Sequence, residues 1–190
     1  PQPAIMLMDE PFSNLDQGLR DRVRADTLSL LQSLDTTVII VTHDPQEALS
    51  IGDRVVLMRS GEVVQSGSAY ELYDHPVDAY AAEFFCAMNK IPGICRDGQV
   101  VTPLGLFPQP EPPRSGQATV YVRPSDIVVS DEAGALPARI EKRVFCGSVE
   151  HLMLRVDGLE TALTMATPQR LPAETEVIKV LVIPEKVLVF

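Results

Sequence analysis

Two adjacent carboxylates, Asp9 and Glu10, close an apolar run, Ile5-Met6-Leu7-Met8, and are followed by Pro11. A short apolar run that stops at a turn signal reads as a buried strand. Sheets of α/β proteins place their ligands beyond the C-terminal ends of strands. One carboxylate at that point can hold a Mg²⁺ ion, which keeps several of its waters. Its neighbour can act as a base towards an attacking water. A second candidate, His43, follows the run Thr37-Val38-Ile39-Ile40-Val41-Thr42 and precedes Asp44-Pro45-Gln46-Glu47. An imidazole there can donate to a phosphate oxygen. The sequence contains no G-x-x-x-x-G-K-[ST] loop, whose backbone amides and lysine would cradle the phosphates. Half of a phosphate-handling site is present in the sequence. Taken singly, an acidic pair more often just ends a strand, and a lone histidine is more often a satisfied core or surface residue. The surroundings of both reverse that weighting.

These residues need elements to position them. Asp16 is placed to cap a helix. Leu19, Val23, Leu30, Leu31 and Leu34 follow at helical spacing, and Arg20, Arg22, Arg24 and Asp26 read as its solvated face. The β-branched run at 37–42 predicts a strand buried on both sides. Asp44 as acidic N-cap, Pro45 at the first helical position and Glu47 at the third predict a helix directly after His43. Residues 54–59 and 62–66 predict a hairpin around Ser60-Gly61. Ser68-Ala69-Tyr70-Glu71 is a capping box that opens a short helix. Residues 78–88 predict another, with Tyr80, Phe84 and Phe85 on its apolar side.

After about Asn89 the pattern changes. Short strands are predicted at 99–102, 118–123, 127–129, 138–145, 150–156, 161–165, 176–183 and 187–190, which suggests a small barrel or sandwich. Residues 107–115 contain Pro108, Pro110, Pro112 and Pro113 and predict a stiff connector without regular structure.

The chain has 190 residues, 45% of them hydrophobic, and a formal net charge of −10. Residues 1–90 carry 6 basic and 14 acidic side chains, and residues 91–190 carry 10 and 12. Neither half has the basic stripe of a nucleic-acid binder. No apolar run approaches the roughly 18–20 residues of a membrane span. The first residues lack a basic n-region, so no secretory signal is expected. Cys86, Cys95 and Cys146 are odd in number and widely spaced. They suit neither a disulfide framework nor a zinc site, and the expectation is free, buried thiols in a cytosolic protein.

Asp9-Glu10-Pro11-Phe12-Ser13-Asn14-Leu15-Asp16 resembles the Walker B strand and D-loop of ABC-transporter ATPase subunits. Val41-Thr42-His43-Asp44-Pro45-Gln46-Glu47-Ala48-Leu49 resembles their switch-histidine segment, in the right order and at the right spacing. Val122-Arg123-Pro124-Ser125-Asp126-Ile127, Phe145-Cys146-Gly147 and Ile183-Pro184-Glu185-Lys186-Val187 resemble the TOBE segment of one importer class. The resemblance covers essentially the whole chain, although the family has Walker A, Q-loop and signature blocks upstream that this sequence lacks. It implies the C-terminal part of a longer subunit. The expected fold is α/β, the C-terminal half of a P-loop ATPase domain over 1–89, followed by an all-β OB-like small barrel of TOBE type over 90–190.

The resemblance also implies roles. Asp9 would hold Mg²⁺, Glu10 would polarise water, and His43 would contact the γ-phosphate. Asp16 would lie at the D-loop dimer interface. ATP and Mg²⁺ would be used by the intact subunit, with neither expected to bind this chain, which is expected to be inactive alone. Partners would be transmembrane permease subunits and a second copy of the ATPase subunit, with no nucleic acid, on the cytoplasmic face of the inner membrane. Thr102-Pro103-Leu104-Gly105 and residues 145–151 lean towards the ferric-iron or polyamine branch within a class that also carries oxyanions. Cys86 stands where the family pattern suggests Gly.

Two other functions compete. The β half could be a non-enzymatic sensor for a small ligand or regulatory protein. It could also be a nucleic-acid module, but its charge and its few aromatics (Tyr121, Phe145 and Phe190 within 117–190) do not supply stacking platforms and basic grooves. Strands 5–8 and 38–42 would leave edges and apolar faces bare, so a dimer or higher oligomer, or partial disorder of residues 1–50, is expected.

Overall fold

The structure, a computed structural model, describes residues 4–13, 15–33, 36–109 and 115–190. Asn14 of the D-loop-like run, Leu34 of the helical pattern and Pro110, Pro112 and Pro113 of the connector lie outside the described residues. The chain divides into two compact units, Pro1–Val77 and Asp78–Phe190.

In the first unit β1 (Ile5–Asp9) pairs in parallel with β2 (Thr37–Val41), with Asp9 opposite Val41. Parallel neighbours need a crossover element, which is α1 (Gln17–Ser33). The Asp16 carboxylate accepts from the Leu19 amide at 3.0 Å, the expected cap. Asp44 caps α2 (Pro45–Ile51) by accepting from the amides of Gln46 and Glu47. The hairpin β3 (Val55–Arg59) and β4 (Glu62–Gly67) turns at Ser60 and Gly61, both at positive φ (54° and 85°), as a twist-matched two-residue turn requires. The Ser68–Glu71 capping box is formed at α3 (Ala69–Asp74).

The two strands of the parallel pair are not buried as their sequences suggest. Ile5, Leu7, Ile39 and Val41 are each more than half exposed. Among the described residues this sheet has two strands, and the side chains of Ile5, Leu7, Ile39 and Val41 are left open to solvent. Leu19 and Leu30 of α1 are likewise exposed.

The second unit opens with α4 (Ala79–Phe85), capped by Asp78. It ends earlier than the expected 78–88. Cys86 turns to an extended conformation (φ −152°, ψ 137°), which needs no glycine, and β5 (Asn89–Arg96) follows at once. The remaining strands are β6 (Gln99–Thr102), β7 (Gly105–Pro108), β8 (Gly116–Val122), β9 (Ile127–Val129), β10 (Leu136–Phe145), β11 (Glu150–Val156), β12 (Leu163–Thr167), β13 (Val177–Val182) and β14 (Leu188–Val189). They form two five-stranded sheets, ordered β14-β8-β5-β6-β7 and β12-β11-β10-β13-β9. After α4 the unit is all-β and barrel-like, of OB type.

β5 and β7 were not visible in the sequence pattern. Pro92 and Gly93 interrupt β5, yet its residues alternate strictly between buried and exposed. Pro92 pairs with β8 but lies beyond the β6 ladder, which begins at Ile94, so its missing N–H leaves no ladder bond open. Gly93 is required by proximity, since a Cβ there would meet Val100 Cγ1 at 2.6 Å. β7 takes Phe107 and Pro108 out of the expected connector, and Phe107 is buried.

Ile91, Val100, Val120, Leu152, Leu154 and Met165 fill the shared core of the two sheets. Asn89 clasps them together. Its Nδ2 donates to Val122 O (3.2 Å) and Thr164 O (2.8 Å), and its Oδ1 accepts from the Thr164 amide (2.7 Å). Two of the motifs quoted above also meet. Arg123 and Asp126 form a buried pair at 3.6 Å, Lys186 reaches Asp126 at 3.5 Å, and the Ile183 amide donates to Asp126 O at 3.0 Å. The Arg143 guanidinium donates to the carbonyls of Leu171, Pro172 and Thr175, fixing the loop before β13.

None of the three cysteines forms a disulfide, but only Cys95 is buried; Cys86 is half-buried and Cys146 exposed, in the turn after β10, against the expectation that all three would be buried. Among the described residues no helix is long and apolar enough to cross a membrane. Asn89→Ala should remove three hydrogen bonds and strand buried polar groups. Each such bond contributes about 1 kcal/mol net, so urea unfolding should show a loss of about 2–3 kcal/mol with an unchanged m-value.

Candidate functional site

Asp9 is the last ladder residue of β1, and Glu10 continues the pairing by one bond, its amide donating to Val41 O at 2.8 Å. Glu10 adopts φ +43°, a left-handed conformation uncommon for a residue with a Cβ. The turn that follows is held by Ser13, whose amide and hydroxyl both donate to Glu10 O (3.3 and 3.0 Å). Phe12 is buried to 2% exposure and anchors this turn. Sequence reasoning gave Phe12 no role; an aromatic set among polar loop residues was the only signal.

This backbone brings two of the candidates together. His43 Nδ1 lies 2.9 Å from Glu10 Oε1. The imidazole thus sits against the Glu10 carboxylate. The hydrogen bond to Glu10 raises the His43 pKa above its usual 6.5, the Glu10 charge adds to this, and Asp44 and Glu47 contribute further. Both side chains remain open to solvent, 74% exposed for His43 and 44% for Glu10.

Beneath the exposed pair lies a buried network. Thr42 Oγ1 donates to Glu47 Oε2 at 2.7 Å and accepts from the Asp44 amide at 3.0 Å. Arg24 Nη2 donates to Glu47 Oε1 at 3.3 Å. Arg20 donates to Leu15 O at 2.9 Å and lies 3.8 Å from Asp44 Oδ2. Arg20 and Arg24 are therefore not part of a merely solvated face. Their i, i+4 spacing puts them on one side of α1, and that side meets the loop carrying His43. The spacing was visible in the sequence; the acidic partners, more than twenty residues away, were not.

Asp16 stands apart, its carboxylate engaged in the helix cap. Asp9 is exposed at the strand end. Among the described residues no group of three or more His, Cys, Asp or Glu could enclose a metal ion. A single carboxylate still fits Mg²⁺, which uses one or two carboxylates and takes its other ligands from water and phosphate oxygens.

The His43–Glu10 contact has a measurable consequence. His43 should titrate above 6.5 in NMR spectra, and Glu10→Gln should return it towards that value. Because the folded pKa is the higher one, the contact stabilises fully below pH 6.5 and its contribution is lost as pH rises through the folded pKa.

The sequence has relatives among known proteins. A family model described as the TOBE domain matches residues 120–190. The Fe(3+) ions import ATP-binding protein FbpC of Streptomyces avermitilis is 36% identical over 148 residues, 78% of this chain and 43% of the relative. Its namesake in Streptomyces coelicolor is 36% identical over 173 residues, 89% of this chain and 50% of the relative. The sulfate/thiosulfate import ATP-binding protein CysA 2 of Chromobacterium violaceum is 37% identical over 163 residues, 83% of this chain and 44% of the relative. The chain thus spans about half the length of the curated relatives it matches. With the paired strand ends carrying Asp9, Glu10 and His43 and a TOBE domain at its end, the chain belongs to the ATP-binding subunits of ABC importers and matches their C-terminal part.

Proposed function

We propose that this chain is the part of an importer's ATP-hydrolysing subunit that supplies the water-activating base and the phosphate-sensing histidine. The observation that carries the reading is the 2.9 Å contact between Glu10 and His43 at the ends of two parallel strands. Glu10 polarises the attacking water. His43 donates to the γ-phosphate of ATP. Asp9 would hold Mg²⁺, which would supply charge neutralisation at the phosphates. Asp16 caps α1 and, in the assembled subunit, faces the second copy across the D-loop interface. The β unit serves regulation and dimerisation. The subunit works on the cytoplasmic face of the inner membrane, bound to transmembrane permease subunits. The imported solute is ferric iron or an oxyanion such as sulfate, the classes named for the similar proteins.

A second reading has its own support. The sequence holds no phosphate-cradling lysine loop, and positioning of phosphates is most of what phosphoryl transfer requires. The 190-residue chain by itself is then a regulatory or ligand-sensing piece that neither binds MgATP measurably nor hydrolyses it.

Capture from native membranes with an antibody against residues 117–190 separates the two. The first reading expects a species much longer than this chain, with magnesium-dependent ATPase activity that Glu10→Gln lowers about 10²- to 10⁴-fold, the range of a lost general base. A native species of this length without turnover would favour the sensor. Turnover by the isolated 190-residue chain that is abolished by Glu10→Gln would overturn its expected inactivity. Light scattering should show a dimer or larger species, through the uncovered strand faces.

A further inference from the structure

We propose that Glu47 is a positioning residue for His43, acting through the Thr42 hydroxyl and held in place by Arg24. The inference rests on the Glu10–His43 pair being the working part of the site.

Glu47 is 3% exposed, although it lies in the first turn of a short helix whose neighbour Gln46 is open to solvent. Burial of a carboxylate is costly unless its oxygens are satisfied, and here they are divided between two tasks. Oε1 receives Arg24 at 3.3 Å; Oε2 receives the Thr42 hydroxyl at 2.7 Å. A hydroxyl has one proton to give. Since Glu47 takes that proton, the Thr42 oxygen is left as an acceptor, and the Asp44 amide donates to it at 3.0 Å. The hydroxyl therefore closes a short loop from residue 42 to residue 44, with His43 between them.

The consequence for His43 is directional. Its ring is largely exposed, and among the described residues its side chain meets the Glu10 carboxylate. With the ring 74% exposed, its aim is set mainly by the backbone below, and the Glu47–Thr42 bond fixes that backbone. Arg24 comes from α1, whose first turn is capped by Asp16. Arg20, one turn earlier, touches both Leu15 O and Asp44. The loop after β1 and the loop after β2 are thus held by the same face of one helix.

A purely structural Glu47 would change stability and leave the His43 ring unchanged in molecules that remain folded. A positioning Glu47 changes the ring. The test uses ¹⁵N ring shifts of His43 in the 190-residue chain, at a pH where the imidazole is neutral. In the unaltered chain the Nδ1–H tautomer should dominate, because Glu10 accepts from Nδ1. Glu47→Asp keeps a charge near Arg24 but draws the carboxylate back from Thr42. Thr42→Val keeps the shape and removes the hydroxyl. Both should shift His43 to the Nε2–H majority of a free imidazole, and Thr42→Ser should restore the Nδ1–H majority. Retention of the Nδ1–H majority in both Glu47→Asp and Thr42→Val, with amide spectra of folded protein, would overturn the role of Glu47 while leaving the Glu10–His43 pair standing. A missing Nδ1–H majority in the unaltered chain would overturn the pair itself. If Glu47→Asp fails to fold, Glu47→Gln replaces it. Gln can still accept from Thr42, so it should keep the Nδ1–H majority while Thr42→Val loses it, and loss in Gln but not in Val would refute the route through Thr42.

Discussion

The hydrogen bond from the Glu10 amide to the Val41 carbonyl, at 2.8 Å, is the constraint on which the candidate site depends. It extends a parallel register one residue past the end of β1. Parallel strands finish at the same edge of a sheet, so whatever follows each of them must share space. That is how Glu10 and His43, separated by 33 residues, come to touch. The requirement for a parallel crossover then dictates a helix between them, and the same helix supplies the two arginines that support the second loop.

The site is soft at its tip and stiff at its base. Glu10 and His43 meet in solvent, where an ion pair contributes little and the groups stay free to exchange partners. The Arg24–Glu47 pair below has exposures of 14% and 3%. Removing one member of a buried pair leaves an uncompensated charge, so the base tolerates change poorly. This division suits chemistry in which the upper groups must meet an incoming phosphate and water while their backbone stays fixed.

Local chemistry was legible in the sequence and long-range layering was not. Asp16, Asp44, Ser68 with Glu71, and the Ser60-Gly61 turn each act within four residues of themselves, and each was read correctly. The apolar runs of β1 and β2 also declared strands. Their burial depends on neighbours that the run itself cannot specify, and Leu7 and Ile39 proved exposed. β5 was hidden because Pro92 and Gly93 carry turn signals, which are overridden by the place of Pro92 beyond the end of the β6 ladder and by the close approach of Gly93 to Val100. Arg20 and Arg24 looked solvated because their partners, Asp44 and Glu47, lie in a distant helix start. The Asn89 clasp could not be inferred, since a single amide side chain carries no periodicity.

Glu10 occupies its left-handed backbone without being glycine. Such a conformation costs free energy for any residue with a Cβ, and it persists only where surrounding structure over-determines it. Here Val41 O, Ser13 and the buried Phe12 do so. Directed evolution towards thermal tolerance alone would therefore push this position towards Gly or Asn, which relax the backbone while deleting the carboxylate. On the proposed role of Glu10 as the water-activating base, a glutamate there keeps its carboxylate at the expense of a strained torsion angle.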